Sequence, residues 1–190
     1  MKATESLELE HRKIARVAEA CEVFADELRQ GSKIPARVLH SLADFFRLYG
    51  EQYHHQEEKW LFGMLRQKGV PADTWPLAGL SRENDKLRAL VEQLNHTIAL
   101  YSESDDSRTG PLVDTLHALA EVYQDHIWKE DYLLLPMATK LLSDIDQQVL
   151  AATFHTIERN FGQEAYRSVA RLSAAIKSCP LCSIPHEQVA

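Results

Sequence analysis

Apolar residues recur at steps of three and four along almost the whole chain, a period that helices satisfy and strands do not. The first run reads Leu7, Ile14, Val17, Cys21, Phe24 and Leu28. Thr4 or Ser6 can cap its start, and Gly31 sits just past its end. The second opens after Pro35, carries Leu39, Leu42 and Phe46, passes Gly50 and resumes with Leu61 and Leu65. Gly69, Pro71 and Pro76 mark a loop. The third run opens at Ser81 and carries Leu87, Val91, Leu94 and Ile98, before the polar stretch SESDDSRTGP breaks it. The fourth carries Leu112, Leu116, Leu119, Tyr123, Leu133 and Met137, and Pro136 is expected to kink or end it. No segment alternates with a period of two.

The expected fold is therefore all-α: an antiparallel four-helix bundle over residues 1–142. A further helical stretch, about Asp146 to Ser178 with Gly162 as its candidate break, is expected to pack along the outside as an extension over 143–178. Residues 179–190 form a tail that contains Cys179-x-x-Cys182.

A chain of 190 residues fits one domain and can bury a sizeable core without disulfide staples. Its net charge of −7 repels phosphate backbones, which argues against nucleic-acid binding, and no basic run marks a membrane surface. No apolar stretch approaches membrane-spanning length, and the start, MKATESLELEH, has no apolar signal region. Three cysteines, an odd and low number, fit a reducing cytoplasmic setting.

Several polar residues interrupt the apolar stripes. His11 follows Leu7 by four and precedes Ile14 by three. His54 lies four after Gly50 and four before Glu58. His126 lies three after Tyr123 and four before Glu130. Three helices therefore each aim a histidine at the core, and two add a glutamate one turn on. Residues at i and i+4 share a helix face, about 5–6 Å apart at Cβ, so each pair can hold one cation. A buried carboxylate is costly unless paired or coordinating, and imidazole with carboxylate suits iron, manganese or zinc. One inward histidine is commonly a satisfied core residue, and one His-x-x-x-Glu is commonly an ion pair. Two such pairs on different helices, with a third inward histidine, favour a metal site.

The segments LELEHRKI, YHHQEEKWLF and HIWKEDYLLLP resemble the three signature segments of the hemerythrin-like, HHE cation-binding family, in the same order and at similar separations over roughly residues 4–142. The resemblance implies a four-helix bundle holding non-heme iron, one or two ions. It implies His11 as the first-helix ligand, His54 and Glu58 as the second-helix pair, and His126 on the fourth helix. The carboxylate partner of His126 is either Glu130 or Asp131, since members of the family use both spacings.

The third helix departs from the pattern. In LSRENDKLRALV the expected histidines are replaced by Asn84 and Arg88. An amide oxygen is a weaker donor than imidazole, and a guanidinium cannot ligate. By the family's arrangement one metal position keeps His11 and His54 while the other keeps only His126. The expectation is one two-histidine site with a second metal weak or absent, which a histidine at position 84 would strengthen. His55 is expected to be partly exposed and paired with Glu51, and stands as a further candidate ligand. Glu57 is expected to be solvated. Gly50 is expected to make room for close packing, and Tyr123 to fill the core. The Cys179 and Cys182 pair is read as two ordinary thiols in a tail, rather than a redox disulfide or half a metal knuckle.

Three functions compete. One is a binding or sensing module for oxygen, nitric oxide, peroxide or iron. Another is an oxidoreductase or peroxidase-like enzyme at the same centre. The third is a metal-depleted bundle serving as a partner-binding domain.

Overall fold

The computed structural model describes residues 2–103 and 108–179, and among these the regular elements are helices with no strand. Helix α1 spans Ala3–Arg29. Its end is closed by backbone bonds from Ser32 N–H to the Glu27 carbonyl (2.9 Å) and from Gly31 N–H to that of Leu28 (3.1 Å). Gly31 adopts φ +89°, the left-handed conformation that this closure needs and that glycine accepts without strain.

Helix α2, Ala36–Phe45, runs through a π-helical segment, Phe46–His54, into α3, His55–Gln67. Helix α4 spans Leu77–Leu100. Helix α5, Thr109–Lys129, continues through a second π segment, Glu130–Leu134, into α6, Leu135–Leu141. These four helical rods form an antiparallel bundle, in which α1 lies along α5, α5 along α4 and α4 along α2. Their shared interior holds Phe24, Phe46, Tyr49, Leu87, Leu116 and Tyr123, all essentially inaccessible. Phe45 stacks on Tyr49 and Phe46 on Tyr123, with ring centroids 5.2 and 4.9 Å apart.

Helix α7, Asp144–Ile157, passes through a third π segment, Glu158–Gly162, into α8, Gln163–Lys177. Ser143 starts it with a reciprocal cap: its hydroxyl accepts from Asp146 N–H (3.2 Å) and its own N–H donates to the Asp146 carboxylate (2.8 Å). This pair of helices lies against α2, α3 and the first π segment. Lys68 reaches Asp146 at 2.6 Å, tying the end of α3 to the first turn of α7, and holds that carboxyl down at about 2.

Five expectations change. Helix α1 starts at Ala3 with Lys2 as its cap, so Thr4 and Ser6 lie within it. Helix α4 opens at Leu77, one turn before Ser81. Pro136 does not end the fourth rod, because the preceding turn is already widened: Leu135 N–H bonds to the Glu130 carbonyl five residues back, and the proline falls in the first turn of α6, where its missing N–H costs nothing. Gly162 lies within a π turn through which the helix continues. Cys179 carries a disulfide rather than an ordinary thiol, and Cys182 lies outside the described residues.

A buried cluster of histidines and carboxylates

Six polar side chains meet inside the bundle. His11 comes from the middle of α1, His54 from the last position of the first π segment, His55 and Glu58 from the first turn of α3, His126 from α5 and Glu130 from the start of the second π segment. All six are buried. One ligand atom each from His11, His54, Glu58 and Glu130 lie within 4.8 Å of one another, and so do single atoms from His55, Glu58 and His126. The two carboxylates link the groups. Glu58 Oε1 is 2.9 Å from His54 Nε2 and 3.7 Å from His126 Nε2. Glu130 Oε2 is 3.1 Å from His11 Nε2 and 3.6 Å from His126 Nε2.

The backbone explains how two adjacent histidines both face inward. Consecutive residues of an α-helix diverge by roughly 100°. Here the widened turn closes on this dipeptide, with the His55 N–H bonded to the carbonyl of Gly50, five residues back. The His54 and His55 rings sit 5.7 Å apart, and His55 faces His126 at 6.3 Å. His55 is only 7% exposed, so the expectation of a partly exposed residue is corrected, while its expected neighbour Glu51 does stand 3.1 Å from Nδ1. The site is thus less lopsided than the lost third-helix histidines imply.

Each of the four rings turns Nδ1 toward a carboxylate. His11 meets Asp131 at 2.5 Å, His54 meets Glu10 at 2.9 Å, His126 meets Glu83 at 3.0 Å, and His55 meets Glu51. In the first three this is a hydrogen bond, which orients the ring and turns Nε2 toward the interior, where its lone pair becomes a ligand once the proton there is displaced. Asp131, one of two candidates for a single ligand position, is placed at this outer ring of acids, and Glu130 at the centre. Behind them the network continues: Tyr53 donates to Glu10 at 3.3 Å and its oxygen lies 3.4 Å from that of the half-exposed Tyr166 on α8.

Asn84 faces inward as expected, but as a donor: its Nδ2 binds Glu58 Oε2 at 2.8 Å. Arg88 lies at the edge, its guanidinium shared between Glu51 (3.3 Å) and Asp85 (2.9 Å). Glu57 is buried, not solvated. Burial and then the neighbouring Glu10 push its carboxyl up to about 9, so it is protonated at neutral pH. Gly50 makes room for Tyr123, whose hydroxyl would lie 2.9 Å from a Cβ at position 50.

Burial alone would lower the imidazoles. For His126 that effect is outweighed by Glu130, Glu58 and Glu83, which carry it up to about 10, and His54 is raised well above its ordinary value by Glu58 and Glu10. Burial raises Glu58, but His55, His54 and His126 prevail and hold it well below the usual carboxylate range. The cluster is a strongly cation-favouring field. Yet His11 Nε2, His126 Nε2, His55 Nε2, Glu58 Oε1 and both Glu130 oxygens are buried without a hydrogen-bond partner. Orphaned polar atoms cost about 1–3 kcal/mol each, and so many converging on one spot fit a metal cation.

Residues 2–138 match the model of the hemerythrin HHE cation binding domain. The chain belongs to the hemerythrin family. Buried histidines and carboxylates in a helical bundle are the setting in which such a domain binds its cation. Uncharacterized proteins of Mycobacterium tuberculosis and Mycobacterium bovis are each 25% identical over 177 residues, spanning 92% of this chain and 69% of theirs. That alignment is longer than the hemerythrin match, so it includes part of the α7–α8 extension. No solved structure matches.

Proposed function

We propose that this hemerythrin-family chain holds two non-heme iron ions and uses them to bind and handle dioxygen, nitric oxide or peroxide. The observation that carries the reading is the set of unpartnered ring nitrogens and carboxylate oxygens shared between two histidine pairs. His11 and His54 would cap one position and His55 and His126 the other, with Glu58 and Glu130 between them. Mixed imidazole and carboxylate donors suit iron, with manganese or zinc as less fitting occupants. Bound iron would supply open coordination positions and one-electron chemistry.

The chain's own residues would do the rest. Asp131, Glu10 and Glu83 orient three of the rings through Nδ1, and Glu51 stands beside the fourth. Asn84 holds Glu58 in place. The Tyr123 hydroxyl is buried without a partner and feels both Glu51 and Glu58, so it is positioned to donate to a small ligand. An oxidoreductase acting at the same centre is the second reading, favoured by the cavity that reaches His55 and Asn84 from the surface. A metal-depleted binding domain is disfavoured by the retained donors. The disulfide at Cys179 removes the cysteine argument for a reducing compartment, and the net charge of −7 disfavours nucleic acid as a partner.

The test is anaerobic loading with ferrous iron, then exposure to dioxygen, nitric oxide and peroxide in turn. New visible or near-ultraviolet absorption with at least one of them, abolished in His54→Ala, is expected. Silence with all three would contradict the proposal.

A further inference from the structure

On the third-helix side of the centre the surface opens into a cavity of about 320 Å³, at the small end of the range that ligand sites occupy. Its composition is unlike that of the rest of this acidic chain. Lys59, Arg66 and Arg88 line it, with Glu51 and Asp85. Arg88 spans both acids. Lys59 and Arg66 have no carboxylate partner among the described residues, so the cavity carries two unmatched cations. Phe62 and Leu77 give it an apolar wall.

Deeper in, the cavity reaches Asn84 and His55. An ionised carboxylate only accepts, so the bond to Glu58 fixes the Asn84 amide with its nitrogen on that side. Its Oδ1 is left buried and without a donor among the described residues. His55 Nε2, on a side chain more than nine-tenths buried, is likewise unpartnered. The two positions where the family resemblance expects histidines, 84 and 88, thus line a cavity with an unfilled acceptor inside and unmatched cations around it.

We propose that this cavity binds a small organic acid bearing a hydroxyl group at the end remote from its carboxylate. The carboxylate pairs with Lys59 and Arg66. The body lies along Phe62 and Leu77, and the hydroxyl donates to Asn84 Oδ1. Binding requires no metal, so failure of this proposal and failure of the iron reading are separable.

The experiment is calorimetric titration of the whole chain, metal-free and iron-loaded, with 4-hydroxybenzoate and with benzoate. The 4-hydroxybenzoate is expected to bind both forms, and more tightly than benzoate. Lys59→Ala with Arg66→Ala, two exposed positions outside the centre, is expected to weaken it about tenfold or more. Asn84→Ala is expected to erase the preference for the hydroxylated acid. No binding at millimolar ligand, or binding unchanged in the Lys59→Ala, Arg66→Ala variant, overturns the proposal. Equal binding of the two acids by the natural protein overturns the role of Asn84.

Discussion

The carboxylate of Asp131 lies 2.5 Å from Nδ1 of His11, a residue 120 positions earlier in the chain. Its neighbour Glu130 approaches Nε2 of the same ring at 3.1 Å. Two consecutive acids at the start of a π turn therefore grip opposite nitrogens of one imidazole, and they have different jobs. Asp131→Asn is expected to weaken metal binding about 10–100-fold by loosening the ring. Glu130→Gln removes a carboxylate from the centre itself and is expected to lower the number of metals bound. Competition titration against a chelator, with metal counting, separates the two. A larger loss at Asp131 would reverse the assignment.

The metal-free protein is expected to lose stability as pH rises above neutrality. His126 is raised from 6.5 to about 10, so its protonated form stabilises the fold fully below about 6.5, and that contribution is lost as pH climbs through 10. Glu57, raised to about 9, acts in the same direction. Metal binding displaces protons from the rings, so affinity should instead strengthen across this window. Melting temperatures measured from pH 6.5 to 10, with and without metal, are expected to diverge. A metal-free protein that gains stability over that range contradicts the field described above.

Alanine in place of Gly50 should improve local helix propensity, yet it is expected to destabilise the protein by about 1–3 kcal/mol. The added Cβ would sit 2.9 Å from the Tyr123 hydroxyl, on a ring held by its stack against Phe46. The nearest ring carbon is an ordinary 3.9 Å away. Tyr123→Phe in the same chain should therefore restore most of the loss. Denaturant melts of the two single variants and the double variant measure the coupling, and additive effects would rule out this contact.

From the sequence alone, a histidine at position 84 should add metal. In the structure His55 already faces His126, and Asn84 is committed to Glu58. Asn84→His is accordingly expected to leave the metal count unchanged, while Asn84→Ala lowers affinity by freeing Glu58. A rise in bound iron in Asn84→His would return the reading to an incomplete centre.

The helices and the inward stripe of His11, His54, Glu58, His126 and Glu130 were legible because spacing of three and four survives in one dimension. The inward turn of His55 was not, because a π segment shifts the face by one residue and leaves no plain mark in the pattern. Glu10, Glu51 and Glu83 carried a faint signal, standing beside His11, one turn before His55 and beside Asn84. Their pairing with Nδ1 atoms depends on how the rods pack. Glu57 was misread because its neighbourhood is completed by Glu10 on α1, distant in the chain, and by the π turn just before it, which the spacing does not show.

The most direct test of the central claim is the number of irons that the chain holds. Metal-free protein titrated anaerobically with ferrous iron, freed of loose metal and analysed for iron and protein together, should contain two irons per chain. One iron per chain, lost in His54→Ala but retained in His55→Ala, would contradict the two-position centre. It would instead leave His11 and His54 holding a single ion.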